Sequence, residues 1–422
     1  MAGTASHSQA GFLLRALRDR NAWIRTADVV AVLLALSLPW STSLVAIFAV
    51  AFVVCLIPAF DKNLFLQSLK RPASIAPVAL FALAVIGMAW ASDIPWAARL
   101  HGFGPVAKLL LIPLLIYQIE RSGRGLWIVA AFVLSCSVVM VLSWYLYFAG
   151  FTWSYWPGVP VKNYIAQSQE FTFCIFALFG AVILLLEKGE TKIAYGLAAL
   201  AAIFTANLLF VVSSRTALIC APILLTVFAF RHFSRNGVLL TLLLACVAAA
   251  VAWTMSPELR TRVSYGFGEL KGYEEQNLPT STGLRLEYWK KSMKFIEAAP
   301  LFGNGTGSIR TLFERDAVGK TGASAEVIGN PHNQTLNVAV QWGLLGVVAL
   351  YVMWVVHLRL FATADSFAGW IGLVAVVENI ASSIFNSHLF DFTEGWLYVL
   401  AIGIAGGMVF RGGKQPAGWA LR

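Results

Sequence analysis

The sequence predicts an all-α integral membrane protein with about twelve transmembrane helices and one small helical domain outside the membrane. Three observations predict it. The 422 residues are 59% hydrophobic and only 12% charged, with a mean hydropathy of +0.73, a balance shown by membrane spans and not by soluble domains. Apolar runs recur along the chain. Basic residues gather at one set of loop ends.

The apolar segments are 28–40, 43–59, 75–91, 105–118, 125–149, 165–186, 193–213, 216–231, 237–254, 335–361, 365–384 and 393–410. Each reads as helix, because lipid offers the backbone no hydrogen-bond partner and a helix satisfies its own. A full span takes roughly 20 residues, so the shorter segments predict irregular or shallow helices. The first two form one run split at Leu38-Pro-Trp-Ser-Thr-Ser43. The 13% aromatic content fits belts at the two membrane surfaces.

One side of the bundle collects Arg15, Arg18, Arg20, Arg25, Lys62, Lys70, Arg71, Arg121, Arg124, Lys188, Lys192, Arg231, Arg235, Arg359, Arg411, Lys414 and Arg422. The opposite short loops hold only Arg99, Lys162 and Arg215, with Lys108 just inside the fourth segment. Basic loops stay cytoplasmic, so the tails 1–27 and 411–422 are expected in the cytoplasm. Residues 28–254 then carry nine helices, 255–334 form the external domain, and 335–410 carry the last three. This asymmetry accounts for the formal charge of +10 as a topology signal, and no nucleic-acid partner is expected. The N-terminal tail reads as held inside, since no small-x-small cleavage site follows the first apolar run.

Cys55, Cys136, Cys174, Cys220 and Cys246 all fall in apolar runs, with no CxxC. They are expected to be reduced, buried side chains and neither a disulfide nor a zinc set. In the external domain, residues 285–299 read as an amphipathic helix with Leu286, Trp289, Met293 and Ile296 on its buried stripe, stopped at Pro300. A second helix is expected near Ser308–Arg315. The glycines of Phe302-Gly-Asn-Gly-Thr-Gly307 read as a loop, since neither a preceding strand nor a GK[ST] makes a nucleotide cradle.

Polar groups at the bilayer edge are costly and call for an explanation. On the outer side they cluster: Lys162, Asn163, Gln167, Gln169 and Glu170; Ser213, Ser214, Arg215 and Thr216; His332 and Asn333; Gln341; Glu378; and Asn386, His388 and Asp391. Arg215 is the sharpest of them. It is either a snorkelling helix-end arginine or a phosphate clamp, since a guanidinium donates paired hydrogen bonds to phosphate oxygens and stays charged. Arg285 and His332 are weak alone, though an imidazole with an ordinary pKa of roughly 6.5 suits a general base. Glu378 fits a structural carboxylate, and His388 with Asp391 lacks the third ligand a metal site wants.

Together these residues carry a resemblance. Ser214-Arg-Thr-Ala217 at a helix junction, Gly283-Leu-Arg285 followed by Trp289, and Pro331-His-Asn333 leading into Trp342-Gly-Leu-Leu-Gly346 resemble the O-antigen ligase family, which includes polysaccharide polymerases and protein O-oligosaccharyltransferases. Family members often carry Glu where Gln341 stands. The resemblance implies a GT-C-like membrane glycosyltransferase in the bacterial inner membrane with its site in the periplasm. The donor would be undecaprenyl-diphosphate-linked O-antigen, the acceptor lipid A–core oligosaccharide, and the product lipopolysaccharide. It implies that Arg215 and Arg285 bind the diphosphate and that His332 is the catalytic histidine. The wider substrate-binding candidates are Asn330, Asn333, Lys162, Gln167, Glu170, Glu378 and Asp391. No cofactor and no metal is expected, and the partners beyond the two substrates are membrane lipids.

The chemistry agrees. Negative charge builds on the departing phosphate, and fixed guanidinium groups stabilise it. A diphosphate leaves as an anion without the acid a glycoside hydrolase needs, so one base suffices, and in-line attack inverts the anomeric centre. Two other readings stand beside the ligase: a polymerase or protein glycosyltransferase within the family, and a twelve-helix transporter, which wants internal repeats and mid-membrane charges that this sequence lacks.

Overall fold

The computed structural model describes residues 19–150, 156–212, 214–257 and 280–413, with Arg260, Thr261, Ser264 and Glu269 between. Most of the two tails, Ser213 and most of 258–279 lie outside the described residues. Among the latter, secondary structure is helical throughout, and every one of the twelve apolar segments lies in or across a helix. The helices are α1 Arg20–Ser37, α2 Thr42–Leu56, α3 Lys62–Leu69, α4 Pro72–Ile86, α5 Trp96–Ala107, α6 Leu111–Ser122, α7 Gly125–Ala149, α8 Tyr164–Glu187, α9 Thr191–Phe210, α10 Arg215–His232, α11 Arg235–Met255, α12 Ser281–Ala298, α13 Ser308–Ala317, α14 Gln334–Thr363, α15 Phe367–Ser382 and α16 Phe392–Arg411.

The expected count of twelve spans is not confirmed. Among the described residues, eight helices are long and apolar enough to cross a membrane, or nine if α3 and α4, bent by 84°, make one broken span. The reason is length and polarity. α2 and α15 have 15 and 16 residues, short of the roughly 20 a span takes, and α1 opens on Arg20, Asn21 and Arg25.

α16 is the axis of the bundle and packs most closely on α6. Small residues let the two backbones approach: a Cβ at Gly403 would lie 2.5 Å from Leu115 Cβ, and one at Gly407 would lie 2.9 Å from the Ile116 carbonyl oxygen. α11 by contrast shows most of its apolar surface, including Leu239, Leu243 and Val247. Cys246 lies on this helix and is exposed, which corrects the expectation that all five cysteines are buried. The apolar run is there, but it faces outward.

The small domain is α12, α13 and a 3₁₀ turn at Gly322–Ala325. The buried face of α12 is Tyr288, Lys291, Ser292 and Phe295, while Met293 is exposed, so the expected stripe is rotated. Lys291 misled the periodicity. Its ammonium is buried 3.4 Å from Asp316, and against the effect of burial Lys294 and Lys320 hold that carboxyl well below its ordinary range.

This domain is bonded into the bundle through a break in α14. Gly343, at φ +57 and ψ −151, leaves the helical region, a conformation open to glycine and strained for other residues. Loop 300–307 takes over the orphaned backbone groups. Asn304 N–H donates to Val340 O at 2.9 Å, Gly305 N–H to Gln341 O at 2.8 Å, and Leu344 N–H to Pro300 O at 2.8 Å. The loop is also anchored on α4, since Thr306 donates to Ala84 O at 2.6 Å and accepts from Trp342 Nε1 at 2.8 Å.

Candidate active site

α10 starts at Arg215 because Ser214 caps it, its hydroxyl accepting from Ala217 N–H at 3.1 Å. That cap turns the Arg215 side chain toward α12. Its guanidinium donates to Thr282 Oγ1 at 3.0 Å and to Glu269 Oε2 at 2.9 Å. Thr282, Arg285 and Tyr288 follow one another at intervals of three, so they share a face of α12. At the far end of that face, the Tyr288 ring lies against His332, with centroids 6.2 Å apart and planes 29° apart. Arg285 stands between the two. Burial lowers its pKa and the Arg215 charge adds to this, and its own charge in turn lowers that of His332. Among the described residues, the Arg285 guanidinium makes no hydrogen bond to protein, so its fork is open to an anion.

His332 sits in a tight loop at φ +54, a left-handed backbone uncommon for a residue with a Cβ. Asn330 holds it there, its Oδ1 accepting from His332 N–H at 2.9 Å. Asn333 then caps α14, accepting from Leu336 N–H at 3.0 Å while donating to Ile384 O at 2.9 Å. Burial is the largest influence on His332 and lowers its pKa, while the hydrogen bond to Asn386 Oδ1 opposes it. The ring is therefore a neutral base at neutral pH. Nδ1 lies 3.0 Å from Asn386 Oδ1, and Nε2 has no hydrogen-bond partner among the described residues.

The loop 383–391, between α15 and α16, is the underlay of the site. Ser387 donates to Asn330 Oδ1 at 2.6 Å, and Asn330 Nδ2 donates to Asp391 at 3.2 Å. Burial raises the Asp391 carboxyl to about 7, with Lys108 opposing. Lys108 itself donates to the carbonyls of Phe390 and Asp391.

Arg215, Arg285, His332, Asn330 and Asn333 thus converge, with Asp391 reaching them through Asn330. The other expected substrate contacts make no bond to these residues among the described ones. Lys162 donates to the Leu38 carbonyl and to Thr393 Oγ1, and Gln167 donates to Ser143 Oγ at 3.1 Å, so both spend their donors on helix packing. Glu170 and Glu378 are buried among α8, α15 and α16, and both Glu378 oxygens lack a hydrogen-bond partner among the described residues. His388 accepts from the Asn386 amide at 3.0 Å, and among the described residues no three metal-ligating side chains gather.

Thr282, Tyr288 and Ser387 were missed in the sequence. Spacing of three on either side of Arg285 was the available signal for the first two. Gln341 is explained by its neighbours: its oxygen accepts from Gly307 N–H at 2.8 Å and its amide donates to Asn337 Oδ1 at 2.8 Å.

Comparison with known proteins falls on this region. A Haemophilus influenzae protein of uncharacterised function is 27% identical over 130 residues, which is 30% of this chain and 33% of that protein. The match thus spans about a third of that relative's length. Residues 200–351 match the family model described as O-antigen ligase, a stretch that holds Arg215, Arg285 and His332. Over that stretch, about a third of its length, the chain is similar to the O-antigen ligase family.

Proposed function

We propose that the chain is an O-antigen ligase of the bacterial inner membrane, working on the periplasmic face with both termini in the cytoplasm. It transfers O-antigen polysaccharide from undecaprenyl diphosphate to lipid A–core oligosaccharide. The observation that carries the reading is the single face of α12 that binds Arg215 through Thr282, presents Arg285, and meets His332 through Tyr288.

In this reading the diphosphate bridges the two guanidinium groups, displacing Glu269 from Arg215. The acceptor hydroxyl lies against His332 Nε2. As its oxygen bonds to the anomeric carbon, its proton passes to Nε2, and the carbon–oxygen bond to phosphate breaks on the opposite face. The electron pair leaves with the diphosphate, whose growing charge the arginines stabilise. Backside displacement inverts the anomeric centre.

The test is transfer by purified protein in proteoliposomes, supplied with lipid-linked polysaccharide and lipid A–core together. Polysaccharide-bearing lipid A–core is the expected product. Lengthening of the lipid-linked polysaccharide would assign a polymerase instead, and substrate flux without a covalent product would favour a transporter.

A further inference from the structure

The His332 side chain meets a second histidine through one amide. Asn386 Oδ1 lies 3.0 Å from His332 Nδ1, and Asn386 Nδ2 lies 3.0 Å from His388 Nε2. Asn386 and His388 are both buried, at 4% and 1% exposure, so water does not compete for these bonds. A primary amide has one accepting and one donating end. With its NH₂ directed at His388 Nε2, its oxygen is left for His332, and His332 must bring the proton on Nδ1.

We infer that Asn386 is the positioning residue of His332, its Oδ1 holding the ring as the Nδ1–H tautomer so that the Nε2 lone pair faces the acceptor hydroxyl. Asn386 touches no reacting atom. It acts by deciding which ring nitrogen is basic, and it does so from the same loop that secures the His332 backbone through Ser387 and Asn330. The reverse amide would donate to Nδ1, put the ring proton on Nε2 and remove the base. The inference rests on the proposed role of His332 as general base.

The test uses two variants of the full chain in proteoliposomes. Asn386→Leu keeps the volume and loses both bonds. Its expected turnover is down ~100-fold, the lower end of what general-base catalysis supplies, with donor KM within about twofold because the arginine clamp is untouched. Asn386→Asp can only accept, so it preserves the tautomer and adds a negative charge beside the imidazole. It is expected to transfer faster than Asn386→Leu and to move the acid limb of the pH profile to higher pH, since a nearby anion favours imidazolium. The other charged and titratable groups facing this network are Arg285 and Tyr288 on α12, His388 and Asp391 on the loop, and Glu394 on α16, and neither variant alters them. A purely structural Asn386 would leave the pH profile where it is. Near wild-type turnover in Asn386→Leu, or an unmoved limb in Asn386→Asp, overturns the inference. If His332→Ala is inactive while Asn386→Leu is not, only Asn386 loses its role; if His332→Ala still turns over, the base assignment falls too.

Discussion

Tyr288 lies over His332 with ring planes 29° apart, and so joins the helix that presents Arg285 to the loop that presents the imidazole. Tyr288 is 6% exposed. Aromatic pairs contribute about 0.5–1.5 kcal/mol beyond area burial. Tyr288→Leu, which keeps most of the buried volume, is therefore expected to slow transfer up to about tenfold, and Tyr288→Phe to change it little. Equal losses in the two variants would show that the hydroxyl and not the ring matters.

The two arginines work as forks, and a lysine supplies a point charge. Arg215→Lys and Arg285→Lys are each expected to lower kcat/KM by about 10²–10³-fold, the range for removing one oriented donor at a developing anion. Single-turnover assays with lipid-linked donor read this directly. Glu269→Gln removes the anion now held by Arg215 and is expected to tighten donor binding by up to about fivefold, in line with a partly buried ion pair.

Burial disfavours the charged imidazolium, so folded His332 releases its proton below the ordinary value near pH 6.5. Because the basic form is the active one, activity is expected to persist as pH falls past 6.5 and to drop only beneath it. A plot of kcat/KM against pH checks the sign, and an acid limb above 6.5 would contradict it.

Gln341 uses its amide at both ends, accepting from Gly307 and donating to Asn337. Gln341→Glu leaves Asn337 Oδ1 without a donor and sets a carboxylate in a buried site. The cost is about 1–3 kcal/mol, expected as a lower melting temperature in detergent. Wild-type melting with lost activity would instead point to a direct part in the reaction.

Much of the fold was legible because a membrane helix needs only a run of apolar side chains, and each run became helix. The span count was not, because α2, α4 and α15 are apolar yet have only 15 or 16 residues, and the sequence does not show that α4 bends by 84° from the more polar α3. The rotated face of α12 was hidden by Lys291, whose burial depends on Asp316 in the next helix. At the site, Arg215 stood out by type and place, while Arg285 and His332, weak alone, were picked out only by the motifs of the family resemblance. Lys162 stood out equally, yet a carbonyl and a hydroxyl consume its donors, and no local pattern distinguishes an ammonium spent on packing from one left open. Asn386 was visible as a polar residue, but its bond to His332 exists only once the loop between α15 and α16 folds beneath α14.

The break at Gly343 has a bearing on how the proposed reaction would be timed. Loop 300–307, bonded into α14 and onto α4, leads out of the helix that carries Arg285 and grips the helix that follows His332. Under the proposed function these two groups are thus set in register before any substrate arrives, and the pace of the cycle would fall to substrate exchange.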